Sequence, residues 1–173
     1  MFYPDTYFFQ KGDKYSSILL AAQKKWKSES EILWSDRNEI LPYKNLTEAI
    51  TLASIIEKEG LEKNKIAGVF INRLRIGMKL QSDPTVIYAL GKDFDGDIKR
   101  KDLRIDNPYN TYRYKGLPPG PISIVSIESL EAALNPEETD FLYFVSMKNG
   151  FHKFSKNLTE HNEAVLKYQI NER

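Results

Sequence analysis

The sequence predicts an α+β fold, mainly helical with one small antiparallel hairpin. Several segments repeat apolar residues at helical spacing between cap and stop signals. Near the C-terminus, Asn149-Gly150 separates two short apolar and aromatic runs, the pattern of a hairpin. Strands and helices do not alternate, which argues against a βαβ architecture.

Taken in order, the first ten residues carry Phe2, Tyr3, Tyr7, Phe8 and Phe9, a cluster expected to pack on the body of the protein. Ser16 or Ser17 caps a helix reaching about Trp26, with Ile18, Leu19, Ala22 and Trp26 on one face. Residues 27–44 are mixed and fix no element. Asn45 to Gly60 is the strongest helix: Asn45 or Thr47 caps it, Glu48 suits its first turn and Gly60 stops it. Its apolar positions cover about half of the helical wheel, which predicts a buried helix. A second helix from about Leu61 to Ile76 carries Ile66, Val69, Phe70 and Leu74 on one face. Ser82-Asp83-Pro84 reads as two cap residues and a first-turn proline, opening a short helix that ends at Gly91.

From Lys92 to Gly120 the periodicity is lost, predicting a long loop region whose tyrosines suggest a functional surface. A short helix follows over Ser126–Leu134. Two strands are expected at Phe141–Met147 and Gly150–Phe154, then a helix from Thr159.

Composition narrows the chemistry. At 173 residues the chain is expected to form a single domain, and its 41% hydrophobic and 28% charged residues suit a globular protein. A net charge of +1 argues against a polyanion binder, so no nucleic-acid partner is expected. Without cysteine there is no thiolate nucleophile, disulfide or Cys-based zinc site. No run approaches the ~20 apolar residues of a membrane span, and the start lacks signal-peptide order. His152 and His161 lack HExxH context, and the Asp93–Asp97 segment departs from the calcium-loop pattern, so no metal is expected. The ten Tyr, nine Phe and two Trp remain to be explained.

The carboxylates Glu57 and Glu59 both fall within the broad apolar arc of their helix, and periodicity does not choose between them. Glu59 lies in the last turn, where the negative end of the helix dipole and an apolar pocket would both raise its pKa toward that of a general acid. The alternative is a solvated Glu at a frayed helix end. Arg73 lies on the apolar face of the next helix, where it either pairs with Glu57 as a structural ion pair or snorkels to solvent. Asp83 is by default a helix cap and is also the best second carboxylate near a site. A glycan-processing enzyme and a non-catalytic glycan- or protein-binding module both suit the aromatics.

Three segments read together resemble one family. They are Leu52-Ala53-Ser54-Ile55-Ile56-Glu57-Lys58-Glu59, the block from Val69 through Arg73 and Gln81-Ser82-Asp83-Pro84 to Tyr88, and Tyr109-Asn110-Thr111-Tyr112 followed by Gly116–Ile122. The chain resembles the catalytic domain of the endolytic murein transglycosylases, the MltG or YceG-like family. Phe2-Tyr3-Pro4-Asp5-Thr6-Tyr7, Tyr143-Phe144-Val145 and His161-Asn162 also fit, so the resemblance covers nearly all of the chain. After Ile122 the family usually continues with a small-residue and Pro-Gly turn, whereas this chain reads Ser123-Ile124-Val125-Ser126.

The resemblance implies a lysozyme-like catalytic domain that cuts peptidoglycan glycan strands between N-acetylmuramic acid and N-acetylglucosamine without water. It leaves 1,6-anhydro ends and needs no cofactor. It places the essential acid on Glu59 and sugar-binding groups on Gln81, Ser82, Asp83, Asn110 and Tyr112. It further implies an N-terminal membrane helix and a LysM-like domain ahead of this region, a location on the periplasmic face of the inner membrane, and cooperation with peptidoglycan synthases. Neither of those segments is in this sequence, so a domain separated from its anchor, or a reduced member, is expected.

Overall fold

The computed structural model describes residues 1–170. Six α-helices and one two-stranded sheet make an α+β fold: α1 (Tyr15–Ser35), α2 (Leu46–Glu59), α3 (Lys63–Arg75), α4 (Asp83–Leu90), α5 (Ile127–Leu134), β1 (Tyr143–Ser146), β2 (His152–Ser155) and α6 (Leu158–Val165). The loop region between α4 and α5 contains single 3-10 turns at Gly91–Asp93 and Asp102–Arg104, and a π-helical turn at Leu166–Ile170 follows α6. No helix among the described residues is long and apolar enough to cross a membrane.

The central helix is α2. Asn45 caps it by accepting from the Glu48 N–H at 3.0 Å, and Glu48 returns the bond to the Lys44 N–H at 2.7 Å. Ala49, Leu52, Ala53, Ile55 and Ile56 are wholly buried, as the wide apolar arc predicts. Around them pack Phe70 and Ile66 of α3, Leu130 and Leu134 of α5, and Trp26 of α1. The sheet joins this core through Phe144, whose ring meets Phe70 edge-on at 5.6 Å.

Gly68 lets α3 lie directly against the chain after α5, since a Cβ there would come within 2.5 Å of the Glu137 carbonyl oxygen. Asn72 fastens the same contact by donating to Thr139 O and Phe141 O at 2.7 and 3.1 Å. Gly68→Ala is expected to destabilise the fold by about 1–3 kcal/mol, measured by urea unfolding, because backbone rather than a side chain must yield.

Three expectations are corrected. Helix α1 runs on to Ser35, through residues whose mixed character fixed no element. Ala22, Trp26 and Ser30 form its buried stripe, while Leu19, expected on that face, stays exposed together with Leu20 and Ile32. The aromatic N-terminus packs only in part: Met1 and Tyr3 lie on the core and the Tyr3 N–H bonds Ala22 O at 3.1 Å, but Phe8 and Phe9 are 96% and 67% exposed. The hairpin pairs Tyr143 with Ser155 through Ser146 with His152 and is connected through residues 147–151, not by a two-residue Asn-Gly turn. Positive φ at Lys148 (62°) and Gly150 (88°) shapes this wider turn, in which the Met147 N–H bonds Phe151 O at 2.9 Å.

Candidate active site

Glu59 is the last residue of α2, and its side chain lies in a cleft of about 730 Å³. Gln81, Asp83 and Tyr112 line one part of the cleft; the hairpin and α6 contribute Tyr143, His152 and His161. The chain leaves α2 through Gly60, against which the His152 imidazole packs. A Cβ on residue 60 would stand 2.7 Å from His152 Cε1. The His152 N–H is held by Glu62 Oε2 at 2.7 Å, so β2 is pinned beside the end of the acid-bearing helix.

Ser82 occupies the N-cap position of α4 yet makes no capping hydrogen bond with its side chain. Its hydroxyl instead donates to Glu59 Oε1 at 2.5 Å. A buried set of hydroxyls aims it. The Ser82 N–H donates to Thr111 Oγ1 at 3.0 Å, Thr85 Oγ1 donates to Ser82 O at 2.6 Å, and the two threonine hydroxyls meet at 2.8 Å. The Gln81 N–H bonds Thr111 O at 3.2 Å, which braces residue 81 at φ 51°, a left-handed conformation unusual for a residue with a side chain.

The environment shifts Glu59 as an acid requires. Burial, with a further push from the Asp83 carboxylate, raises its pKa to about 7, against the opposing effects of the Ser82 hydroxyl and Arg73. At neutral pH the group is therefore poised between carboxylic acid and carboxylate. Tyr112 donates its phenol to Asp83 Oδ1 at 2.5 Å, and burial, then Asp83, pushes its own ionisation far above the ordinary range. Replacing Thr111 by Val loosens Ser82 and is expected to move the Glu59 titration upward, because the Ser82 bond favours the charged carboxylate. Carbon-13 NMR of the Glu59 carboxyl measures this directly, and Thr111→Ser should restore the original value.

Glu57 does the opposite. Two residues along a helix turn the side chain through about 200°, so Glu57 leaves α2 on the side of α5 while Glu59 enters the cleft. Its Oε2 accepts from Ser126 Oγ at 2.5 Å, the Ser126 N–H at 3.1 Å, Lys63 Nζ at 3.3 Å and the Ser129 hydroxyl. Burial alone would raise its pKa, but these donors overcome it and hold Glu57 at about 2. The expected Glu57–Arg73 ion pair does not form, because the two lie on different sides of α2. Glu57 pairs with Lys63, and Ser126, in the segment where the chain departs from the family pattern, is its main anchor.

Arg73 is 6% exposed, so it does not snorkel either. Its Nε donates to Leu142 O at 2.6 Å and its Nη1 to Leu80 O at 2.5 Å, tying α3 to the start of β1 and to the approach to α4. It also lines the cleft.

Of the sugar-binding residues implied by resemblance, Gln81, Asp83 and Tyr112 line the cleft with Glu59. Two do not. Ser82 is only 2% exposed and serves Glu59. Asn110 is wholly buried: its amide donates to Leu103 O and Ile105 O at 3.1 and 2.9 Å, and its Oδ1 accepts from the Tyr112 N–H at 3.0 Å. Asn110 therefore shapes the loop that presents Tyr112 and touches no sugar in this arrangement. Sequence reasoning assigned no role to Thr111, Tyr143 or His161, although each lies in a segment that carries the resemblance. A further hollow of about 440 Å³, lined by Asn72, Arg75, Glu137 and Glu138 among others, lies away from Glu59.

Comparison with known proteins identifies relatives of the chain. Residues 1–167 match the YceG-like family. The chain is 46% identical over 172 residues to an endolytic murein transglycosylase of Bacillus subtilis (strain 168), covering 96% of this chain and 46% of that protein. It is 33% identical over 182 residues to an endolytic murein transglycosylase of Streptococcus pneumoniae serotype 2 (strain D39 / NCTC 7466), covering 96% of this chain and 31% of the relative. The chain thus spans less than half the length of these curated relatives. A crystal structure of a yceG-like protein from Listeria monocytogenes superposes with a TM-score of 0.75 at 41% identity, over 94% of this chain and 54% of that one. By sequence and by fold, the chain belongs to the YceG-like family.

Proposed function

We propose that this domain is an endolytic lytic transglycosylase that cuts the bond between N-acetylmuramic acid and N-acetylglucosamine within peptidoglycan strands. The observation that carries the reading is Glu59: a carboxyl in the cleft, hydrogen-bonded by Ser82, with a pKa near 7. The names of the relatives supply the substrate class.

The reaction uses Glu59 twice. As the acid it gives its proton to the glycosidic oxygen while the bond from that oxygen to the muramyl C1 breaks and positive charge develops at C1. The leaving sugar departs with a free 4-hydroxyl. The Glu59 carboxylate so formed then takes the proton from the 6-hydroxyl of the same muramyl sugar, whose oxygen bonds to C1 and closes the 1,6-anhydro ring. The nucleophile is already part of the substrate, so no water and no second catalytic carboxylate are required. Hydrolysis would ordinarily use two carboxyl groups, one of them to activate water or to attack. Here the neighbouring Asp83 is held by Tyr112, and its charge raises the Glu59 pKa.

Digestion of purified sacculi followed by mass spectrometry of the new ends tests the reading. Anhydro-muramyl ends are expected. Reducing muramyl ends would replace it with a muramidase, and binding without release would replace it with a peptidoglycan-binding module. The pH profile adds a second check. Because the reaction begins from protonated Glu59, kcat/KM is expected to fall above pH 7, about tenfold per unit, along a limb with an apparent pKa near 7.

A further inference from the structure

The hairpin side of the cleft carries a group of hydrogen-bond donors with no part in the chemistry above. Arg73, although buried, makes no ion pair among the described residues. Its Nε and Nη1 are engaged by backbone carbonyls, whereas no described residue accepts from Nη2. Its guanidinium lies 5.3 Å from the Tyr143 ring centroid, and the His161 ring stacks on Tyr143 at 5.2 Å with an interplanar angle of 25°. All three residues line the cleft.

The His161 side chain makes no hydrogen bond among the described residues. Its Nδ1 is sealed from solvent and unpaired, which leaves Nε2 as the nitrogen a ligand can reach. Burial, and then the nearby Arg73 charge, hold the imidazole pKa down, so the ring is neutral at pH 7 and can donate from one nitrogen. Arg73 adds donors with a permanent charge, and Tyr143 adds a phenol. The groups that these residues leave open to the cleft are biased toward donors, which suits an acceptor-rich ligand group.

We propose that Arg73, Tyr143 and His161 form a subsite for an acyl oxygen of the substrate, and that this acyl group is the lactyl substituent at O3 of the muramyl sugar. The proposal rests on the glycan-cleaving reading above and deepens it. Acetamido groups occur on both alternating sugars and so cannot set which bond meets Glu59. The lactyl group occurs only on the muramyl sugar. A strand read through it is placed in the one register that brings the muramyl C1 to the acid, and the charge of Arg73 favours either the lactyl carboxylate or the amide carbonyl that replaces it when a peptide is attached.

The test uses calorimetry on the Glu59→Gln protein, which binds without cutting. The ligands are chitotetraose, which offers acetamido groups alone, and the peptide-free tetrasaccharide of alternating N-acetylglucosamine and N-acetylmuramic acid. The muramyl ligand is expected to bind about tenfold more tightly, the scale of one good charge-assisted hydrogen bond. Adding His161→Phe, which keeps the stack on Tyr143, or Tyr143→Phe should remove most of that preference while leaving chitotetraose within about twofold. Arg73→Lys, which keeps charge but loses the planar fork, should weaken it as well.

Equal binding of the two ligands, or equal weakening of both by His161→Phe, overturns the subsite. Cleavage of sacculi by the unmodified protein separates the two readings. Anhydro ends with an insensitive preference leave the function standing and remove the subsite. A preference that depends on His161 without anhydro ends keeps the subsite and removes the reaction.

Discussion

Replacing Glu59 by Gln is expected to lower the rate of strand cleavage at least ~10³-fold while making the protein more stable at neutral and alkaline pH. The loss follows from the chemistry: the amide can neither give a proton to the glycosidic oxygen nor accept one from the 6-hydroxyl, and general acid–base catalysis alone is worth about 10²–10⁴. The gain follows from burial. A carboxyl raised from 4.5 to about 7 binds its proton more tightly in the folded chain than in the unfolded one. The Glu59 contribution to folding stability is therefore most favourable below pH 4.5, falls as the pH rises toward 7, and stays at the lower level above it.

The difference amounts to about 3 kcal/mol as an upper figure. Glutamine keeps the shape and the Ser82 hydrogen bond but carries no charge, so the variant escapes this penalty. Urea unfolding across pH should show its advantage appearing between about pH 4.5 and 7. A solvated Glu at a frayed helix end would give neither effect, and a purely structural Glu would not couple loss of activity to gain of stability.

The neighbouring substitution is expected to act in the reverse sense. Glu57→Gln should cost up to about 3 kcal/mol at neutral pH, because a carboxylate held at about 2 is stabilised in the folded chain relative to 4.5 in the unfolded one. That contribution is present above pH 4.5 and is lost as the pH falls through about 2, so the variant and the parent should converge in acid. For a domain of this size the neutral-pH loss corresponds to a fall in Tm of roughly 5–10 °C. The junction of α2 with α5 is what loosens, since Ser126 and Ser129 would face an amide in place of a charge. The intrinsic cleavage step should change little at temperatures where the variant is folded. Two glutamates two residues apart would thus separate into one of function and one of stability.

How much of this was legible in the sequence depended on the range of the interaction. Local signals placed α2 within a residue at each end, from the Asn45 cap to Gly60, and the opening of α4 at Asp83. They also brought Glu59 forward, though for an incomplete reason. The helix dipole and an apolar pocket were the reasons available from spacing; in the folded chain burial is the largest cause, and the Asp83 charge, which spacing did not bring to Glu59, adds to it.

Contacts between distant segments were not legible. Arg73 answers to Leu80 and Leu142 carbonyls that no spacing rule connects to it. Glu57 found serines 69 and 72 positions away. Asn110, read through resemblance as a sugar ligand, turned inward, where its amide holds the carbonyls of Leu103 and Ile105 across the long loop. Ser82 shows the same limit in miniature, since a residue at a cap position gave its hydroxyl to an acid on another helix.

If one carboxyl closes an intramolecular ring and water takes no part, the new ends carry no solvent oxygen. Cleaving sacculi in water enriched in oxygen-18 and weighing the new muramyl ends tests it most directly. Anhydro ends carrying no label are expected. Muramyl ends that gain one labelled oxygen from solvent would contradict it.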